Sequence, residues 1–320
     1  MTHRVILDVD TGVDDAMAIL MAVAHPEIEV LGITCVEGNT SVDNVVSNTL
    51  AVLDTAGAPD IPVAAGARRP LIEPSRPSHV HGSDGMGDLG LPRSARIADS
   101  RHAVDLLHDL LTQSEVPVTI IALAPQTNLA LLLRQHPEVA GRLERILFMG
   151  GSASGGNATA VAEFNVWHDP EAAAIALDAG VPAFMYGLDV FNQVTIDEAD
   201  ADALRDGLTA SGRLAGALLH FQMADDPVSA SYGGHIGDAG AVCALVDPAA
   251  LRVERLPVRV ELAGHSRGQT VVDRRQRAGE DTVHGGSPAG GAAAHPVDVA
   301  LDVDVPRFAR LFLDTIARLP

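Results

Sequence analysis

The chain has 320 residues and a formal charge of −20 at neutral pH, from 42 acidic and 22 basic side chains. That sign disfavours a nucleic-acid partner gripped through its phosphates and an anionic membrane surface, and leaves small neutral or cationic ligands. Every basic residue is arginine, so Schiff-base chemistry and a phosphate-loop lysine are excluded.

A hydrophobic content of 47% supports a large core, and short apolar runs alternate with helical patterns, the sequence form of βαβ units. In chain order, residues 5–9 read as a strand, 13–24 as a helix, 30–36 as a strand, 42–56 as a helix and 61–64 as a strand. Residues 66–96, rich in Gly, Pro, Ser and His, are too long for a connector and read as a functional loop. A helix at 102–113, a strand at 118–123, a helix at 127–134 and a strand at 145–149 follow. Asp169-Pro170-Glu171 then opens a helix with an N-cap residue, a proline at the first helical position and a first-turn acid. In the second half, 182–186 reads as a buried strand, 199–221 as one or two helices and 224–237 as a second loop. Strands are expected at 256–262, 269–272 and 297–303, and an amphipathic helix at 305–318. The expected fold is α/β: one Rossmann-like domain over residues 1–320, its mostly parallel central sheet flanked by helices.

Cys35 and Cys243 lie inside apolar runs and read as core residues, not as a disulfide framework or a cysteine-rich zinc site. No apolar stretch reaches the roughly 20 residues of a membrane span, and Met-Thr-His-Arg leads into a strand instead of a signal peptide. A cytoplasmic enzyme is the expectation.

Ligands bind such sheets beyond the carboxyl ends of the strands. The unusual polar residues fall there: Asp10 ends the first strand, Asn39 follows the second, and "APQTN" (124–128) the fourth. "MGGSASGGN" (149–157) follows the fifth and leads to "AEFNVWHDPEAA". Asp10 and Asp15, five apart across a strand-to-helix turn, can face one point, where two carboxylates repel unless a cation lies between them. Oxygen donors of this kind suit Ca²⁺ or Mg²⁺ better than zinc. The plainer reading is that Asp14 and Asp15 only favour a helix N-terminus. "DVDTG" (8–12) also matches the DxDxT opening of haloacid-dehalogenase-type phosphatases, whose first aspartate is the nucleophile. Those enzymes need a basic residue, commonly lysine, and a Gly-Asp-x-x-x-Asp pair. This chain has no lysine, and "GDAGAVC" from Gly237 offers one of the two aspartates.

The whole pattern resembles the inosine-uridine-preferring nucleoside hydrolase family from about residue 4 to about 315. "DVDTGVDDAMAI" is similar to the family's DTDPGxDDAxAI signature, with Thr11 where proline is usual. "EGN" (37–39), "APQTNLA" (124–130), "MGG" (149–151), "GN" (156–157) and "AEFNVWHDPEAA" (162–173) follow in the family's order and spacing. The resemblance implies one Ca²⁺ held by Asp10, Asp15, Asp238 and the main-chain carbonyl of Thr127, with ribose hydroxyls and a water completing the shell. It makes Asp10 the base for that water and gives Asp14 and Asn39 the lower ribose hydroxyls. Asn157, Glu163 and Asn165 take the 3′ and 5′ side, with Phe164 beside them. It further implies a small-molecule ribonucleoside as partner, splitting to ribose and free base, and a homodimer or homotetramer. Cleavage of an N-glycosidic bond builds positive charge on the sugar, which a site dense in carboxylates stabilises.

One departure stands out. Family members commonly carry a histidine before the carboxyl-side calcium aspartate to protonate the leaving base, and here that residue is Gly237. His81, in "HGSDGMG", matches a loop histidine of the family and is the expected substitute; Tyr232 and His235 are the other candidates. If none substitutes, a ribose- or nucleoside-binding protein without turnover is the competing reading. Asp169, Asp302, Asp304 and Trp167 read as structural.

Overall fold

The computed structural model describes residues 2–78, 80–225, 233–277, 279 and 296–320. Its strands are β1 (His3–Val9), β2 (Ile28–Cys35), β3 (Val63–Ala65), β4 (Val118–Ala122), β5 (Leu143–Met149), β6 (Ala183–Tyr186), β7 (Thr195–Ile196), β8 (Gly234–His235), β9 (Leu251–Val260), β10 (Thr270–Val272) and β11 (Pro296–Val303). Among the described residues, β7 and β8 form a small ribbon and the other nine make one sheet in the order β10-β9-β11-β6-β5-β4-β1-β2-β3. From β11 to β3 every neighbouring pair is parallel; β9 runs antiparallel to both β11 and β10.

The helices are α1 (Val13–Ala24), α2 (Val42–Thr55), α3 (Ala103–Gln113), α4 (Thr127–Gln135), α5 (Phe164–His168), α6 (Pro170–Asp178), α7 (Leu188–Phe191), α8 (Glu198–Arg205), α9 (Ala210–Asp225), α10 (Ala239–Val246) and α11 (Val305–Ile316). On one face of the sheet α1 packs against α2, α9, α10 and α11; on the other α4 packs between α3 and α6. Two apolar layers result, which is why β4, covered on both sides, is buried at every residue instead of alternating. Strand order reverses between β1 and β4, leaving a crevice beyond their carboxyl ends where ligands of such sheets bind.

The expected elements of the first half are present with ends shifted by a residue or two. Among the described residues, three helices lie outside the sequence reading. The largest is α10, whose "AGAVCALV" is buried on all sides against α1 and α11 and so shows no helical period. Strand β9 starts five residues earlier than expected because its first half, Arg252 to Arg255, is exposed and charged. The described residues of 66–96 carry no helix or strand, as expected, but are tied down. Leu71 N–H donates to Asp169 (2.9 Å), Arg76 to the Trp167 carbonyl (2.7 Å) and Arg96 to Asp54 (2.6 Å). Of the segment 224–237, β8 is visible and 226–232, with Tyr232, lies outside the described residues. No described helix is long and apolar enough to cross a membrane.

Candidate functional site

Around the end of β1 successive aspartates take different tasks. Asp8 is fully buried inside the sheet, where Thr34 Oγ1 (2.6 Å) and Asn128 Nδ2 (2.8 Å) donate to its Oδ1, and burial pushes its pKa up to about 7. A phosphatase nucleophile at this position would need a free, outward-facing carboxylate, whereas Asp8 is held inside the sheet by Thr34 and Asn128. Asp10, past the strand end, accepts the Asn39 N–H at Oδ2 (2.7 Å). Gly38 lies beneath that carboxylate: a Cβ there would come 2.1 Å from Asp10 Oδ2, which accounts for the glycine of "EGN". Asp15 caps the start of α1, accepting the N–H groups of Gly12 (2.9 Å) and Asp10 (3.3 Å), so the capping role is real. Capping does not exhaust the cluster.

One carboxylate oxygen each from Asp14, Asp15 and Asp238 lies within 4.8 Å of the other two. Asp10 falls outside that tight group, and Asp14, expected as a catalytic and sugar-binding residue and not as a metal ligand, is inside it. Burial, then the charges of Asp14, Asp15 and Asp10, hold Asp238 well above the usual carboxylate range; burial and then Asp15 do the same to Asp10. Burial and then Asp14 bring Asp15 to about 7. Asp10 Oδ1 and Asp238 Oδ1 are both buried with no hydrogen-bond partner among the described residues. Two orphaned acceptors in one acidic cluster are the environment a hard cation satisfies, and no histidine or cysteine stands among these donors, so the set fits an oxygen-loving ion. Thr127 opens α4, buried, its hydroxyl donating to Asp169 (2.7 Å).

Beside the cluster is a cleft of ≈ 190 Å³. Of the residues singled out in the sequence, Asp14, Asn39, His81, Asn157, Glu163, Phe164, Asn165 and Asp238 all line it, although they come from segments up to 224 positions apart; Asp10, Asp15 and Thr127 do not. Glu163 is the N-cap of α5 and receives Asn165 N–H and Gly151 N–H at 2.9 Å, with burial raising its pKa to about 7. Asn165 commits Nδ2 to the carbonyls of Leu123 (2.8 Å) and Met149 (3.2 Å), at the ends of β4 and β5, leaving its Oδ1 as acceptor. Asn157 Oδ1 accepts the Phe164 N–H (2.9 Å). Leu123, Met149 and Phe191 give the cleft an apolar side that their sequence context, ordinary core runs, did not signal.

His81 Nδ1 accepts the Val13 N–H (3.3 Å) and lies 3.7 Å from Asp14 Oδ1. An accepting Nδ1 leaves the proton of the neutral ring on Nε2. His235 does not line the cleft; it stacks on Phe191 with ring centroids 6.3 Å apart. Gly237 has φ +55°, and a Cβ there would stand 2.4 Å from Asp14 Cβ. A histidine therefore cannot replace it on this backbone. Gly237→Ala is expected to cost about 1–3 kcal/mol of stability from the strained backbone alone and to displace Asp14; the urea midpoint and the activity, measured together, check this.

The sequence reading also missed a buried brace. Glu37, two residues before Asn39, pairs through Oε2 with His168 Nε2 at 2.9 Å, both essentially inaccessible, and Ser75 donates to Glu37 Oε1. Arg76 stacks over Trp167 at 3.7 Å. These contacts clamp the "EGN" turn, residues 66–96 and α5 together, across a separation of 131 positions that no local pattern reveals.

Residues 5–310 match the family described as "Inosine-uridine preferring nucleoside hydrolase". The chain is 38% identical over 286 residues to a "Pyrimidine-specific ribonucleoside hydrolase RihA" of Shewanella sp. (strain MR-4), covering 88% of this chain and 90% of the relative. It is 36% identical over 323 residues to an "Inosine-uridine preferring nucleoside hydrolase" of Leishmania major, covering 100% and 99%. A solved structure, "Purine-Preferring Ribonucleoside Hydrolase from Gardnerella vaginalis", superposes with a TM-score of 0.87 at 32% identity over 98% of each chain.

Proposed function

Since the chain belongs to the inosine-uridine preferring nucleoside hydrolase family and is a nucleoside hydrolase, we propose that it splits ribonucleosides to ribose and free base at the acidic cleft, with Ca²⁺ held by Asp10, Asp15, Asp238 and the Thr127 carbonyl. The observation that carries this reading is the pair of orphaned carboxylate oxygens, Asp10 Oδ1 and Asp238 Oδ1, buried beside a cleft lined by amides and acids. When bound, the cation supplies positive charge to the cluster and chelation for vicinal sugar hydroxyls.

The protein's own groups divide the remaining work. Asp14 and Asn39 hold the lower ribose hydroxyls, and Asn157, Glu163 and Asn165 hold the 3′ and 5′ side, with Phe164 packed against it. Such a grip fixes the sugar in a reactive pose. Asp10 takes a proton from the attacking water at its unpartnered Oδ1; burial and the Asp15 charge raise its proton affinity and so strengthen it as a base. As the bond to the base stretches, positive charge grows on the sugar, and the surrounding carboxylates stabilise it. Nucleosides assayed with and without chelator, with Asp10→Ala as control, test the reading; base release that persists in chelator would overturn the cation's part in it.

His81, which lines the cleft, is the donor to the departing base: as the imidazolium, with Asp14 Oδ1 3.7 Å from its Nδ1, it hands over its Nε2 proton and is left as the neutral ring. His81→Ala should slow natural nucleosides by about 10²-fold or more and slow p-nitrophenyl riboside, whose leaving group needs no proton, much less. Equal rates on both substrates for variant and parent would remove His81 from the mechanism. We assign all 320 residues to one nucleoside hydrolase domain in the cytoplasm, as a homodimer or homotetramer. Two buried, free cysteines suit a reducing compartment, and light scattering on the purified protein reads the assembly.

A further inference from the structure

Far from the acidic cleft, α3 and the end of α4 bring together His108, His136 and Glu138, with one donor atom of each within 4.8 Å of the other two. His136 directly follows α4, whose first residue, Thr127, lies just beyond the carboxyl end of β4; nine helical residues at about 1.5 Å each separate His136 from that rim. The imidazole rings are 4.2 Å apart between centroids and inclined by 37°. His136 Nδ1 and His108 Nε2 both approach the same oxygen, Glu138 Oε1, at 3.5 and 3.8 Å.

We propose that these three side chains form a second metal site that takes Zn²⁺ or a cation of its class. Donors at about 2.0–2.1 Å from a tetrahedral zinc are about 3.3 Å from one another, so separations of 3.5 and 3.8 Å need only small side-chain rotations to close on an ion. Two imidazoles and one carboxylate are a zinc-type donor set, unlike the all-oxygen cluster of the cleft, so the two sites sort cations by ligand chemistry. The arrangement also has an outer partner. Asp109 Oδ1 lies 3.6 Å from His108 Nδ1, and Arg101 holds Asp109 Oδ2 at 2.7 Å, which sets a carboxylate behind the ligating histidine. His108 and His136 are about one-third exposed and Glu138 is exposed, so the fourth position is open to water. A bound ion would staple α3 to the end of α4 and stabilise the fold by mass action.

The test uses the full protein saturated with Ca²⁺, so that the acidic cluster is not available to the added metal. Native mass spectrometry and calorimetry with Zn²⁺ should show one zinc per chain, and the melting temperature should rise on adding it. His108→Ala and His136→Ala should each weaken binding by more than about 10-fold, the lower end of what loss of an outer partner costs, whereas Asp238→Asn should leave zinc affinity unchanged. Co²⁺ in place of zinc should give a tetrahedral visible band that both histidine variants lose. Nucleoside hydrolysis by His108→Ala should equal that of the parent. Absence of zinc binding, or equal binding by the His108→Ala/His136→Ala double variant, overturns the site. Neither result bears on the cleft chemistry.

Discussion

Replacing Asp10 by asparagine should lower kcat by about 10²- to 10⁴-fold, the span that a positioned general base contributes. Asparagine keeps the size of the side chain and an oxygen for the Asn39 N–H, the one donor Oδ2 receives at 2.7 Å, so the turn over Gly38 is preserved. What it removes is the basic, unpartnered Oδ1. At saturating Ca²⁺, which offsets any weakening of the ion's hold by the loss of one proposed ligand, the loss should appear chiefly in kcat, since Asp10 does not itself line the cleft. Steady-state kinetics on inosine and uridine read both constants; a variant with undiminished kcat would assign the base elsewhere, and Asp14 and Asp238, which do line the cleft, would be next in order.

The second large effect is on stability. With the divalent cation removed, the protein should become more stable as pH falls from about 8 to about 5, opposite to ordinary acid lability. The sign follows from the raised groups. Asp8, Asp15 and Glu163 stand at about 7 in the fold, against ordinary carboxylate values near 4 in the unfolded chain. Below about pH 4 both states are protonated and the fold bears no cost. Between about 4 and 7 the unfolded chain ionises while the fold keeps its protons, so the folded state binds more protons and loses stability as pH rises. Above about 7 the cost is complete. One pKa unit is worth about 1.4 kcal/mol, so several such groups shift the melting temperature by at least a few degrees. Added Ca²⁺ should cancel the part of the change that comes from Asp15 and its neighbours at neutral pH, because it stabilises the ionised cluster, and leave the part from Asp8 and Glu163. Asp15→Asn should flatten the pH dependence without the ion. Melting curves from pH 5 to 8, with and without chelator, give the answer directly.

Local rules wrote most of the fold. Alternation of apolar runs with helical patterns marked β1, α1, β2, α2, β4, α4 and β5 to within a few residues, and Asp169-Pro170 fixed the start of α6 through capping chemistry. Where every side of an element is buried, as in α10, periodicity vanishes and sequence pattern has nothing to report.

The site divides in the same way. The sequence by itself determined which acids and amides crowd the rim, because the family's motifs restrict residue type and strand ends restrict position. It could not determine that Asp14 joins Asp15 and Asp238 in the tight group, that Gly237 is forced by the Cβ of Asp14, or that Glu37 braces His168. Those are facts of distance between residues far apart along the chain. Packing of α1 against α10 and the ties of Leu71 and Arg76 to residues 167–169 set them, and no local propensity encodes a separation in space.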